Sequence, residues 1–288
     1  MTLEKGLEAF LDGLSGKNRS SQTLRAYRTD VLQFITFLHE NNVAITDVSD
    51  VRKVDVLEYL AALAKKDLTG VARARKLSAI REYFRFLESV DLIQKSPTAG
   101  IDTPKREKHT RQFLRSDEYT KMLSLAGGNP RDYAILQVFL QTGIRVSELA
   151  HLTLDAVDVI KPAINVRGKG SIEREIALEK RGLLALKNYL AVRPESLSSV
   201  LFLNYKGEPI SERGIRKLVV KYRKNAGITK RASCHSLRHT FATYKAEKGV
   251  SPFQLQQWLG HANLNTTQIY VHLGKQNAKK IMEQTSLA

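Results

Sequence analysis

Cysteine is almost absent: Cys234 is the one thiol in 288 residues. No internal disulfide can form and no thiolate cluster can hold zinc, which fits a reducing compartment. Long apolar runs are missing too. The longest, near 133–140, falls far below the ~18 residues of a membrane-spanning helix. The opening Met1-Thr-Leu-Glu-Lys-Gly6 has no basic stretch followed by an apolar one, so the expectation is a cytoplasmic protein without membrane contact. A phosphate-binding loop is also lacking. Around Lys169 it would need glycine at 163 and serine or threonine at 170, where the chain has Ala163 and Gly170. His235 and His239 stand i and i+4, but Ser236 occupies the place of the glutamate in a His-Glu-x-x-His zinc helix, and the neighbouring arginines repel a cation. No metal and no cofactor is expected, and no pair of carboxylates stands out for acid–base work.

Positive charge is what the chain has in excess. Forty-six Lys and Arg against 29 Asp and Glu leave a net +17, which favours a polyanionic partner. The excess is uneven. Residues 1–110 carry 18 basic and 15 acidic side chains, whereas 111–288 carry 28 and 14, as in two units with different tasks. The polar, proline-containing stretch Asp102-Thr-Pro-Lys-Arg-Glu-Lys-His-Thr-Arg111 reads as their connection. The expected organisation is a helical domain over 1–104, a linker at 105–111 and a second domain over 112–288.

Apolar residues at helical spacing mark four helices in the first domain: Leu3–Leu14, Leu24–Leu38, Val54–Ala64 and Val71–Leu87. The last carries Arg73, Arg75, Lys76, Arg81 and Arg85 against Glu82 alone. Such a run is either a solvated face or a phosphate-contacting one. In the second domain helices are expected at 116–126, 130–142, 146–151, 179–192, 211–226, 236–248 and 252–259. Residues 163–178 hold two β-prone runs flanking Gly168-Lys-Gly170 and read as a hairpin.

The polar residues beside turns are the chemical candidates: Arg145, Lys169, His235, Arg238, His261 and Tyr270. Singly, each has an ordinary explanation, since an arginine after a glycine turn caps a helix and a helical tyrosine packs in a core. Jointly they match metal-free phosphodiester transfer. Charge building on the non-bridging oxygens must meet fixed donors, for which Arg145, Arg238 and His261 are suited. A tyrosine hydroxyl with a pKa of about 10 needs a proton acceptor, and His235 is the candidate. The leaving sugar oxygen needs a proton, which Lys169 on its hairpin is placed to give.

Five short strings in order over about 130 residues carry a specific resemblance: Thr142-Gly-Ile-Arg-Val-Ser-Glu-Leu149, Gly168-Lys-Gly170, His235-Ser-Leu-Arg-His-Thr240, Leu259-Gly-His261, and Tyr270 nine residues after His261. With Ser21-Gln-Thr-Leu-Arg-Ala-Tyr-Arg-Thr-Asp30 opening the first domain, the chain resembles the tyrosine site-specific recombinases of the lambda-integrase family, notably their Xer-type and transposon or phage members. The resemblance implies a mainly α fold with a small β-hairpin (α+β), a core-binding domain and a catalytic domain forming a C-shaped DNA clamp. It implies Tyr270 as nucleophile with Arg145, Lys169, His235, Arg238 and His261 around the phosphate. Strand exchange would pass through a 3′-phosphotyrosyl bond and a Holliday junction, with neither ATP nor metal. The implied partner is double-stranded DNA with paired inverted core sites, bound by two protomers per site and four on two sites, weakly associated or monomeric without DNA. Residues 274–288, with Ile281 and Met282, resemble the tail helix exchanged between protomers. Glu148, one turn past Arg145, either orients that arginine or forms a surface ion pair. Arg213, Arg216, Lys217 and Lys221 lie along one helix and, with Arg73, Arg75, Lys76 and Arg81, are the expected DNA contacts. A type IB topoisomerase shares the tyrosine chemistry, and a catalytically silent regulator would share the fold. Dimer resolution, cointegrate resolution and integration or excision of a mobile element all remain open.

Overall fold

A computed structural model describes residues 1–16, 20–41, 44–105, 112–167 and 173–260. The chain forms two compact units, Met1–His109 and Thr110–Ala288. The first holds α1 (Leu3–Gly16), α2 (Ser21–Asn41), α3 (Lys53–Lys65) and α4 (Gly70–Ser89), with a 3-10 turn at Val48–Asp50. Helix α4 starts where the Thr69 side chain caps the Ala72 N–H. It runs through the middle of its unit, burying Ala74, Leu77, Ile80, Tyr83, Phe84 and Leu87. Helix α1 lies close against it. The Tyr83 hydroxyl donates to the Leu3 carbonyl at 2.9 Å, and a Cβ on Gly6 would come within 2.8 Å of that hydroxyl.

A central helix has little solvent face left, and its cations differ in how they are placed. Lys76 is 6% exposed. Its ammonium donates to Asp30 at 3.1 Å and also to Gln33. Arg75 forks onto the same Asp30 carboxylate, with one arm at 2.8 Å. The Lys76 ammonium is thus engaged inside its own unit, unlike the exposed Arg75 beside it. Arg81 donates to Thr103 and to the Ile101 carbonyl and, like Arg73, is half-buried.

The second unit contains α5 (Ser116–Ala126), α6 (Pro130–Thr142), α7 (Val146–Ala150), β1 (Val157–Asp158), β2 (Ala163–Arg167), β3 (Glu173–Ala177), α8 (Lys180–Leu190), α9 (Glu212–Asn225), α10 (Cys234–Glu247) and α11 (Pro252–Leu259). Helix α6 is its core, with Ala134, Ile135, Leu136, Val138 and Phe139 inaccessible to solvent. Asn129 caps α6 with Pro130 in its first turn, and Gly143 ends it in the left-handed region at φ 59°. A Cβ on Gly143 would strike the Phe241 ring, so this turn suits only glycine. The expected hairpin is present in register Ala163↔Ala177 to Arg167↔Glu173. The short strand β1 extends it to an antiparallel three-stranded sheet in the order β1-β2-β3. No described helix is long and apolar enough to cross a membrane.

Candidate active site

Side chains from the start of α7 and from α10 meet at the end of α11. Gly260 terminates that helix in the left-handed conformation, φ 61°, which leaves the last carbonyls without helical partners. Arginines from elsewhere take them. Arg238, on α10, donates through Nη2 to the Leu259 carbonyl at 2.6 Å and through Nη1 to the Gly143 carbonyl at 2.7 Å. Arg145, the N-cap of α7, donates through Nη2 to the Gly260 carbonyl at 2.7 Å. Both arginines named by the sequence are thus anchored to one helix end, whose dipole favours cations.

Their surroundings differ. Arg238 is 5% exposed, while the Arg145 side chain keeps 39% of its surface and so presents a face outward. Glu148 sets that face. Its Oε1 accepts from Arg145 Nη1 at 2.8 Å, and its Oε2 accepts from the Arg145 backbone N–H at 2.7 Å. With its own side chain 7% exposed, Glu148 is no surface ion pair. Burial pushes its carboxyl up, but hydrogen bonds from Arg174 and from the Arg145 backbone, with the Arg174 charge, outweigh that and hold it below the ordinary value.

His235 sits in the first turn of α10, exposed, one turn before the buried His239. Their rings are edge-on with Nε2 atoms 3.0 Å apart, so one of the two nitrogens carries the hydrogen and the other accepts it. Lys169, His261 and Tyr270 lie outside the described residues, as do residues 274–288 with Ile281 and Met282, and 106–111 of the expected linker. On α9, Ile215, Leu218, Val219 and Tyr222 face inward, leaving Arg213, Arg216, Lys217, Lys221 and Lys224 exposed. Among these, Arg216 pairs with Glu212 at 2.5 Å.

Sequence reasoning missed Arg174 on β3. Its side chain is 10% exposed. Nη1 and Nη2 donate to the two oxygens of Glu148 at 3.1 and 2.8 Å, and Nε donates to the Trp258 carbonyl at 2.8 Å. One signal was present: in Glu173-Arg-Glu-Ile-Ala177 alternation puts Arg174 on the face of the buried Ile176.

Residues 112–277 match the phage integrase family, and residues 7–90 match the phage integrase N-terminal SAM-like domain. The chain belongs to the phage integrase family of tyrosine recombinases. Tyrosine recombinase XerC of Natranaerobius thermophilus is 38% identical, with 92% of this chain and 93% of that protein covered. XerC of Listeria welshimeri is 35% identical over 97% of both. In fold the recombinase is similar to XerA recombinase (29% identity, 99% of each chain, TM-score 0.56) and to a lambda integrase tetramer bound to a Holliday junction (19% identity, 94% of this chain and 77% of that one, TM-score 0.78). The recombinase is accordingly a DNA strand-transferring enzyme of site-specific recombination.

Proposed function

We propose that the recombinase cuts and rejoins DNA by attack of the Tyr270 hydroxyl on a backbone phosphorus, with Arg145, Arg238 and His261 holding the non-bridging oxygens. The phenol gives its proton to His235 as the Tyr270 O–P bond forms. The P–O5′ bond breaks, and Lys169 protonates the departing 5′ oxygen. The products are a 3′-phosphotyrosyl link and a free 5′-hydroxyl. Attack by the 5′-hydroxyl of a partner strand reverses these steps and returns the tyrosine. The covalent bond carries the phosphodiester free energy across, so no nucleotide hydrolysis is called for.

The observation that carries this reading is the anchoring of Arg145. Its guanidinium is fixed by Glu148 and by the Gly260 carbonyl yet stays 39% exposed, which is how a preorganised donor to an incoming anion is built. Electroneutrality supports it as well. Arg145 and Arg174 both donate to the single carboxylate of Glu148, two guanidiniums on one anion, which favours a further negative charge such as a phosphate. Exposed basic residues on α9, with Arg73, Arg75 and Arg81 from the first unit, supply backbone contacts. Two protomers occupy each pair of inverted core sites and four complete a synapse on two sites, with the 274–288 tail as the exchanged segment.

The test is a nicked synthetic duplex carrying the sequence that the purified protein selects from a randomised pool. Diffusion of the short fragment beyond the nick traps the covalent adduct. Wild type is expected to accumulate a 3′-linked adduct and Tyr270→Phe none; equal adduct from both would place the nucleophile elsewhere. Arg145→Ala is expected to bind the duplex nearly as wild type does and to cleave about 10²-fold more slowly, the scale of losing one preorganised donor.

A further inference from the structure

The last three carbonyls at the α11 terminus are each claimed by a different arginine: Trp258 by Arg174 at 2.8 Å, Leu259 by Arg238 at 2.6 Å and Gly260 by Arg145 at 2.7 Å. Two of these arginines belong to the proposed phosphate-binding set. Arg174 does not. It is 10% exposed, and Nε and both terminal nitrogens donate within the protein. What it touches is informative. Glu148, its carboxylate partner, also fixes Arg145 through the side chain at 2.8 Å and the backbone at 2.7 Å. The carbonyl it holds lies two residues before the one that Arg145 holds.

We propose that Arg174 is a positioning residue for strand cleavage, locking Glu148 and the α11 terminus together so that the Arg145 guanidinium is held in its phosphate-accepting orientation. This rests on the reading of Arg145 as a donor to the scissile phosphate. Removing Arg174 frees the Glu148 carboxylate to swing with Arg145 and frees the Trp258 carbonyl. The segment continuing to His261 loses one of three anchors, while β3, which follows Lys169 in the chain, loses its tie to that segment. Lysine cannot substitute, because one ammonium cannot reproduce a planar fork that meets a carboxylate with two arms and a carbonyl with a third. Gly260 belongs to the same device. A Cβ there would lie 3.1 Å from Arg174 Nη1 and 3.2 Å from its Cζ, at a φ of 61° that disfavours any side chain.

Single-turnover cleavage of the nicked, selected duplex by the full chain tests this, with DNA affinity and melting temperature measured on each variant. Arg174→Lys and Arg174→Ala are expected to bind within about threefold of wild type while cleaving at least tenfold more slowly at saturating protein. Their defect then lies in the rate at saturation rather than in binding. Glu148→Gln combined with Arg174→Ala is expected to be no slower than the slower single variant, because both break one unit. Glu175→Ala, on the same strand with its side chain half-exposed and paired to Lys161 at 3.3 Å, serves as control and is expected to cleave as wild type. Wild-type cleavage by Arg174→Lys overturns the proposal. So does a loss that follows affinity or the unfolded fraction, or rate losses that multiply in the double variant. Should Arg174→Ala fail to fold, Arg174→Lys decides alone. If Arg145→Ala cleaves as wild type, the underlying reading of Arg145 fails whatever the Arg174 variants do.

Discussion

Glu148 accepts from two guanidiniums and one backbone N–H while almost withdrawn from water. A carboxylate so placed is stable only as an anion with its partners present, since removing one member of a buried pair leaves the other charge uncompensated. Glu148→Gln is therefore expected to cost about 3 kcal/mol of stability at neutral pH, read by urea denaturation. The folded carboxyl lies below its ordinary value. Its stabilisation is thus complete above the unfolded pKa of about 4.3 and is lost as pH falls through the folded value. The gap between wild type and Glu148→Gln is expected to be constant from pH 7 to about 5 and to shrink below about 4. A gap that stayed constant to pH 3 would contradict the ion-pair account.

At the scale of elements, α10 shows two opposing influences on one thiol. Cys234 opens this helix, and a helix N-terminus ordinarily lowers a thiol pKa. Here burial dominates and pushes Cys234 up to about 11, against a smaller lowering from Arg216. The thiol is expected to resist a disulfide reagent at pH 8 in the native protein by at least a hundredfold relative to the urea-unfolded chain, making it a reporter of unfolding for the variants above. Comparable native and unfolded rates would mean that the α10 start opens readily. The same helix shows what the sequence could and could not reveal. Its existence followed from periodicity, as did the other helices, because apolar stripes at helical spacing are strong local signals. Its start lay two residues earlier than expected, since Ser233 rather than a later residue takes the N-cap position. Arg145 and Arg238 were legible as motifs, but not what holds them. Arg174 reaches Glu148 across 26 residues and Trp258 across 84, and contacts between distant elements leave no periodic trace. The burial of Lys76 was hidden for the same reason: a basic run suggests a charged face, whereas Asp30, 46 residues away on α2, draws the lysine inside.

Across the whole chain the charge divides into +3 for residues 1–110 and +14 for 111–288, so the second unit dominates the electrostatic attraction to DNA. Each phosphate neutralised releases condensed counterions and steepens the salt dependence by about 0.9 in log K against log salt. Exposed cations whose only role is such a contact are separable from buried ones. Lys217 and Lys221 are exposed on α9, and replacing both with glutamine is expected to lower that slope by about 1.8 without moving the melting temperature. Lys76 behaves oppositely if its ammonium serves Asp30 and Gln33. Lys76→Met should leave the slope unchanged, whereas Asp30→Ala, which strands the buried ammonium, should destabilise the first unit by about 3–5 kcal/mol. Filter binding between 50 and 200 mM salt, with calorimetry on the same samples, separates these outcomes. A slope reduced by Lys76→Met as much as by Lys217→Gln would place Lys76 at the DNA interface and require α4 to expose it on binding.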